Sequence, residues 1–341
     1  MRIIVDVMSG DNAPLELIKG AVLAADENPD CNISIVGDRE TILRCAEDNR
    51  ISVSGVDIIP SYSTIVMEDK ALAVVREKKD SSMGIGLKML QEGEGEAFVS
   101  AGNTGALIAG ATLLVRRIKG ISRAGIATIL PFPTPVLLMD SGANLEVTPE
   151  NLYQFAFMGS KYMEKIYSIN RPRVGQLNNG TEHTKGLPLQ TETYQILKDS
   201  ELNFVGNIEG KEVPFGACDV LVCDGFTGNV LLKNTEGMGK FMMALLKDIL
   251  TSNPVTILAA LSIKKKIKTL KHQFDASEHG GAPLLGISKP VIKAHGSSDA
   301  KAVKNAVRQA IAFVKSGIND DIEQFCAEND AKKGFFKKIL K

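Results

Sequence analysis

The hydrophobic positions of the chain fall into short β-branched runs separated by longer amphipathic stretches. Residues 3–7 form the first run, with the composition of a strand covered on both faces. Asp11, Asn12 and Pro14 follow, residue types that cap and open a helix, and the helical pattern extends to about Glu27. Residues 33–38 are the next strand, completing a strand–helix–strand unit of about 30 residues. Residues 39–49 read as a second helix and 57–60 as a third strand, whereas 61–80 are more polar. Phe98 and Val99 end a short buried strand, Gly102 to Gly105 make a tight polar turn, and 106–115 is an apolar run of helical length. Pro131, Pro133 and Pro135 stiffen a non-helical connector. Further strands are predicted at 136–139, 174–177, 220–223 and 291–294, with a helix over 149–166.

The strand ends share a chemistry. The apolar runs finish in Asp, Asn, Gly, Ser or Thr and then enter a helix: Ser100 to Gly105, Asp140 to Asn144, Asn178 to Gly186, Asp224 to Asn229, His295 to Asp299. Any one of these is an ordinary cap or turn. As a set in a parallel sheet they line one edge, where α/β proteins bind ligands, and unpaired N–H groups at helix starts favour an anion the size of phosphate. Asp38 stands where a ribose-binding acid would, but the GxGxxG turn is absent, which disfavours a nicotinamide dinucleotide.

Composition narrows the classes. The 341 residues carry a formal net charge of zero, so nothing global points to nucleic acid. The five cysteines form no CxxC pair and, with four histidines, no plausible metal set; their scatter suits a reducing cytoplasm. Asp6 comes too early for the apolar core of a signal peptide. The longest apolar runs, such as 255–263, are about half of the ~20 residues a spanning helix needs.

Two cationic stretches stand out. Arg116, Arg117, Lys119 and Arg123 form either a solvated face or a docking patch for an acidic partner. Val255, Ile257, Leu258 and Leu261 precede Lys264, Lys265 and Lys266, with Ile263, Ile267 and Leu270 on one helical face. Apolar side chains beside lysines suit contact with an anionic membrane surface, and equally a helix hairpin packed on itself or on a second subunit. A single catalytic domain is expected over 1–330, with a protruding amphipathic segment at about 250–275 and a basic tail at 331–341.

Seven motifs follow one another along the chain: residues 6–14, 100–106 and 140–144, then Gly180 to Glu182 with Lys185 and Gly186, then 224–229, 280–286 and 294–298. In that order they resemble the acyl-ACP:phosphate acyltransferases of bacterial phospholipid synthesis, the PlsX family. Val7 and Ser9 stand where the family usually has Ala and Gly, His183 and Thr184 occupy a stretch more often charged, and the segment 131–136 is short. The resemblance implies a three-layer α/β/α sandwich with a mostly parallel sheet, related to isocitrate dehydrogenase and phosphotransacetylase. It further implies a homodimer, peripherally bound to membrane, that moves a long acyl chain from acyl carrier protein to inorganic phosphate. A membrane glycerol-3-phosphate acyltransferase would then use the acyl phosphate, and no cofactor is implied.

Phosphate is itself the nucleophile in such a reaction, so no Ser–His–Asp set is needed and none is found. Lys185 is the expected positive charge and Asn229 the expected amide donor to the carbonyl. Gly102, Asn103, Thr104 and Gly105 are expected to cradle phosphate, with Asn144 and His295 lining the site. For His295, ligand contact and helix capping both stand. Asp6 and Asp224 are expected to orient donors, since a carboxylate facing phosphate would repel it. Two other readings remain: a phosphotransacetylase-like enzyme using acyl-CoA, and a membrane-docked scaffold without catalysis.

Overall fold

The computed structural model describes residues 1–273 and 280–339, with side chains described for 1–267 and 280–328. Its strands are β1 (Arg2–Asp6), β2 (Asn32–Gly37), β3 (Asp57–Pro60), β4 (Ala97–Ser100), β5 (Gly125–Ile126), β6 (Thr128–Leu130), β7 (Val136–Met139), β8 (Arg173–Asn178), β9 (Asn203–Glu209), β10 (Val220–Val222), β11 (Ala282–Leu285) and β12 (Val291–Lys293). Its α-helices are α1 (Leu15–Glu27), α2 (Arg39–Asp48), α3 (Ser82–Glu92), α4 (Thr104–Gly110), α5 (Pro149–Tyr167), α6 (Pro188–Lys198), α7 (Gly225–Leu250), α8 (Pro254–Gln273), α9 (Ala300–Ser316) and α10 (Ile318–Ile339).

The strands divide between two sheets, ordered β3-β2-β1-β4-β12-β11-β5 and β6-β7-β10-β8-β9. In the first, β3 through β12 run parallel, as do β7 through β9 in the second. The expected common edge is therefore two edges. The cause is local: β5 pairs antiparallel with β11 while β6, one residue further on, pairs antiparallel with β7. The chain changes sheets at Ala127, which is fully buried.

Helices cover both faces of the first sheet, making the three layers. Ile3 and Val5 pack with α1 and α9, while Ile4 between them packs with α3 and α4. This is the alternation expected of a strand buried on both sides. Gly86 of α3 lets Phe98 lie against the helix; a Cβ there would sit 2.3 Å from the ring. The proline-rich connector at 131–135 closes the β6–β7 hairpin. The first helix departs from its expected capping, because Pro14 is its N-cap and no side chain caps it. Asn12 instead donates from Nδ2 to the carbonyls of Ser297 and Ser298, tying the loop after β1 to the loop after β12.

Candidate active site

At the first edge, Asp6 is fully buried and both carboxylate oxygens are occupied. Oδ1 accepts the Met8 N–H at 3.1 Å and Oδ2 accepts the Ser100 hydroxyl at 2.8 Å. Ser100 Oγ in turn accepts the Gly102 N–H at 3.1 Å. This relay fixes where the chain turns after β4. Gly102 is demanded by space, since a Cβ there would lie 2.6 Å from Ser9 Cβ and 2.8 Å from Met83 Cε.

Asn103 caps α4, its Oδ1 accepting the Ala106 N–H at 3.0 Å. Its Nδ2 donates to the carbonyls of Val66, Met67 and Asp69 at 3.4, 2.9 and 3.2 Å. The side-chain donor expected for a ligand is thus directed into the 66–69 loop, because three clustered carbonyls there need it. What the turn offers outward is the N–H groups of Thr104 and Gly105, which have no acceptor inside the helix.

Lys293, absent from the sequence reading, ends β12 and donates from Nζ to the carbonyls of Ala101, at 3.3 Å, and of Ala294. Burial lowers its pKa to about 8, against the opposing charges of Asp11 and Asp6. Its place was marked in the sequence only as a lysine at the end of an apolar run. His295 follows, and its Nδ1 meets Ser297 Oγ at 2.9 Å while accepting the Ser297 N–H at 3.2 Å. The helix start at α9 is capped by Asp299 instead, and among the described residues no hydrogen bond engages Nε2 of His295. Partial burial, then the nearby Lys233 ammonium, hold its pKa below the ordinary value.

At the second edge, the Asp140 carboxylate accepts from five donor groups, the N–H groups of Ile126, Gly142, Ala143 and Asn144 and the Asn144 Nδ2, with the Ala143 N–H shared between its two oxygens. Burial still raises its pKa. Asn144 also donates from Nδ2 to the Ala124 carbonyl at 2.7 Å, so its amide nitrogen serves the turn and joins it to the first sheet. Asp224 caps α7, accepting the Thr227 N–H at 2.8 Å and the Thr227 hydroxyl at 2.7 Å. Gly225 and Gly228 let α7 press on the 140–144 turn; a Cβ on Gly228 would meet the Asp140 carbonyl at 1.9 Å. Asn229 lies beside Gly142, exposed, and among the described residues no hydrogen bond engages its amide.

One helix relates the two edges. Lys233 lies four residues beyond Asn229 on the same face of α7, and its charge reaches both Lys293 and His295. Asn229 is therefore about one helical turn, ~5.4 Å along the axis, from the residue that faces the first edge. Lys185 sits in the exposed loop after β8, the neighbour of β10. The Asn178 amide holds that loop through the Lys185 carbonyl at 3.0 Å, while the Lys185 ammonium has no partner among the described residues. Among the described residues no contact ties Lys185 to the first edge.

The profile of the family described as "Fatty acid synthesis protein" matches residues 1–321. A phosphate acyltransferase of Thermoanaerobacterium thermosaccharolyticum is 45% identical over 325 residues, covering 95% of this chain and 96% of that protein. One from Clostridioides difficile is 42% identical over 330 residues, with 96% and 97% covered. The chain belongs to the PlsX family of phosphate acyltransferases. Acyl transfer to phosphate is thus the activity to be explained. A solved phosphotransacetylase from Streptococcus pyogenes has the same fold at TM-score 0.58, with 18% identity over 92% of this chain and 94% of that one. A branched-chain phosphotransacylase from Enterococcus faecalis gives 0.55, with 14% identity and coverages of 92% and 99%.

The remaining features of this phosphate acyltransferase lie away from the two edges. Arg116, Arg117 and Lys119 line a concavity of about 360 Å³ at the far end of the helical run that starts at Thr104. Val255, Ile257, Leu258 and Leu261 are exposed on α8, which packs on α7 beyond the turn at 251–253, and Lys264, Lys265 and Lys266 are exposed beside them. The side chains of Leu270 and of the 331–341 tail lie outside the described residues. Among the described residues no helix is long and apolar enough to cross a membrane, and no acid, histidine and thiol group is placed to hold a metal. Cys223 and Cys218 are buried thiols whose pKa values burial raises, Cys218 to about 12, so neither is a ready nucleophile.

Proposed function

We propose that the acyl donor is acyl carrier protein and that the product is a long-chain acyl phosphate. A membrane glycerol-3-phosphate acyltransferase would consume that product on the way to phosphatidic acid. The observation that carries this reading is a pair of open donor sets, one at each edge. Backbone N–H groups at Thr104 and Gly105 belong to the first, and the exposed Asn229 amide beside Gly142 belongs to the second, four residues before Lys233, whose charge acts on Lys293 and His295 of the first.

In this reading a phosphate oxygen attacks the thioester carbon and the carbonyl oxygen takes the displaced electron pair. Collapse breaks the C–S bond, and the thiolate leaves with its electrons and collects a proton from solvent. Asn229 donates to the oxyanion and Lys185 supplies the positive charge, while the turn at Gly102 to Gly105 holds phosphate. Asn144, held by Asp140, accepts the Gly225 N–H at the start of the helix that carries Asn229, and His295 offers its Nε2 at the phosphate side. Asp6 and Asp224 orient the two turns. No strong general acid is required for a thiolate leaving group.

The enzyme is read as a cytoplasmic homodimer that binds membrane peripherally. Phe241, Met242, Leu245 and Ile249 leave an apolar face of α7 exposed, which a second copy would cover. The tip of α8 offers apolar side chains and lysines to anionic lipid. Purified protein mixed with palmitoyl-acyl carrier protein and phosphate should yield a species that hydroxylamine traps as hydroxamate. Equal turnover of palmitoyl-CoA would favour a phosphotransacetylase-like donor. Failure to consume either thioester in a phosphate-dependent way would leave only a scaffolding role.

A further inference from the structure

Residues 61–81 connect β3 to α3 with a single short 3₁₀ turn at Ala71–Val75. A connection this long inside a compact α/β domain is uncommon and usually functional. It is also firmly held. The Asp69 carboxylate accepts the Val66 N–H at 2.8 Å and the Lys78 ammonium at 2.6 Å, and Lys78 also donates to the Thr64 carbonyl at 3.0 Å. Asn103, the cap of α4, donates to three of the loop's carbonyls. Ile65 is buried beneath.

That anchoring uses backbone groups, Asp69, Lys78 and Asn103, so the apolar side chains above are left over. Val66, Met67 and Leu72 are 46%, 57% and 39% exposed. They lie directly beside the turn that offers the Thr104 and Gly105 N–H groups; Ala71 Cβ is 3.5 Å from where a Gly105 Cβ would stand. Holding apolar side chains in water next to an anion-binding turn serves no packing purpose.

We infer that Val66, Met67 and Leu72 form the wall against which the alkyl chain of the acyl donor lies. The inference rests on the acyl-transfer reading above and adds where the chain runs and which side chains sense its length. A carbonyl held between the α4 turn and Asn229 sends its alkyl chain across one of two apolar borders. Phe226 and Val230 on the other border begin the stripe that continues along α7 through Met238 and Phe241, a span suited to covering by another helix. The loop patch is short and is bounded by Glu68, Asp69 and Lys70, which suits one narrow chain.

Two measurements test it. Met67→Ala should lower kcat/KM for palmitoyl-acyl carrier protein about tenfold while leaving butyryl-acyl carrier protein and the KM for phosphate within about twofold. The Met67 carbonyl, which receives Asn103, is unchanged by that substitution, so the turn keeps its anchor. An equal loss for both chain lengths, or no loss, overturns the wall. The chain contains no tryptophan, so Met67→Trp introduces a single reporter. Its emission should shift to the blue on adding palmitoyl-acyl carrier protein and stay put with the butyryl form. A shift seen with Phe226→Trp and not with Met67→Trp would place the chain on the opposite border. This binding readout stands whether or not turnover occurs, whereas absence of phosphate-dependent thiol release by the unmodified enzyme counts against the catalytic reading alone.

Discussion

Gly105→Ala separates stability from catalysis in opposite directions. Gly105 has no left-handed backbone requirement, and a Cβ built on it would meet Asn103 Oδ1 at 3.4 Å and Ala71 Cβ at 3.5 Å, both ordinary contacts. Alanine in the first turn of a helix in place of glycine contributes about 0.5–1 kcal/mol. For a chain of this length that is a rise in Tm of about 1–3 °C. The Cα–Cβ bond of a helical residue tilts toward the helix N-terminus, so the new methyl, beside Asn103 and Ala71, narrows the approach to the Thr104 and Gly105 N–H groups. A phosphate oxygen displaced from those donors loses preorganised hydrogen bonds, the kind of interaction whose removal costs ~10²–10³ in rate.

The assay is a thermal melt paired with steady-state kinetics in varied phosphate. A more stable protein with phosphate KM raised at least about tenfold is expected. Gly102→Ala is the contrasting control. Its methyl would overlap Ser9 and Met83 at under 3 Å, so stability and activity should fall together, by about 1–3 kcal/mol for the first. A Gly105→Ala enzyme that melts higher and keeps its phosphate kinetics would refute the claim that this turn holds phosphate.

Other tests follow from the same geometry. Lys185→Ala or Asn229→Ala should lose ~10²–10³ in acyl-phosphate formation with an unchanged melt, since both side chains are exposed; near-normal turnover would reject that role. Replacing Ile257 and Leu261 together by Glu should abolish pelleting with anionic vesicles yet spare turnover of soluble substrate, and unchanged pelleting would favour helix packing as the purpose of the tip. Lys293 has a folded pKa of about 8 against an ordinary value near 10.4, so between those values the unfolded chain binds more protons and stability rises with pH. From pH 7.5 to 9.5 the wild type should gain about 2 kcal/mol relative to Lys293→Met in urea unfolding; parallel curves would mean that Lys293 is not held in a desolvated place.

The strand ends at Asp6, Asp140 and Asp224 were legible in the sequence because both of their signals are local. A β-branched run announces the strand, and the acid with small residues after it announces the turn. Non-local pairing was not legible. Gly125 to Leu130 is too short to show that it serves two sheets, and its partners in β11 and β7 are fixed only by tertiary packing. The same limit hid the use of Asn103. Its cap to Ala106 is three residues away and predictable, whereas the carbonyls that take its amide are 34 to 37 residues away in a loop with no period. Lys293 escaped notice because a lysine at the end of a strand ordinarily means solvent. The length of α7 was hidden by Gly237 and Gly239, which oppose a helix that packing with α8 accompanies.

Three acids at strand ends beside the proposed phosphate site pose a physical problem, which the hydrogen bonds resolve. Asp6 spends its oxygens on Met8 and Ser100, Asp224 spends both on Thr227, and Asp140 is surrounded by donors from four residues. A carboxylate whose lone pairs are filled by N–H and O–H groups turns its charge into the orientation of those groups, and their dipoles partly offset it. At the first edge the order of groups is then carboxylate, hydroxyl, peptide N–H and finally the open N–H donors of the helix turn. Reaction with phosphate as nucleophile asks for no base, so nothing requires any of the three acids to face the substrate bare. Replacing one by its amide would keep the shape while reversing half of its hydrogen bonds, and the turn it organises would lose its aim before the fold lost its core.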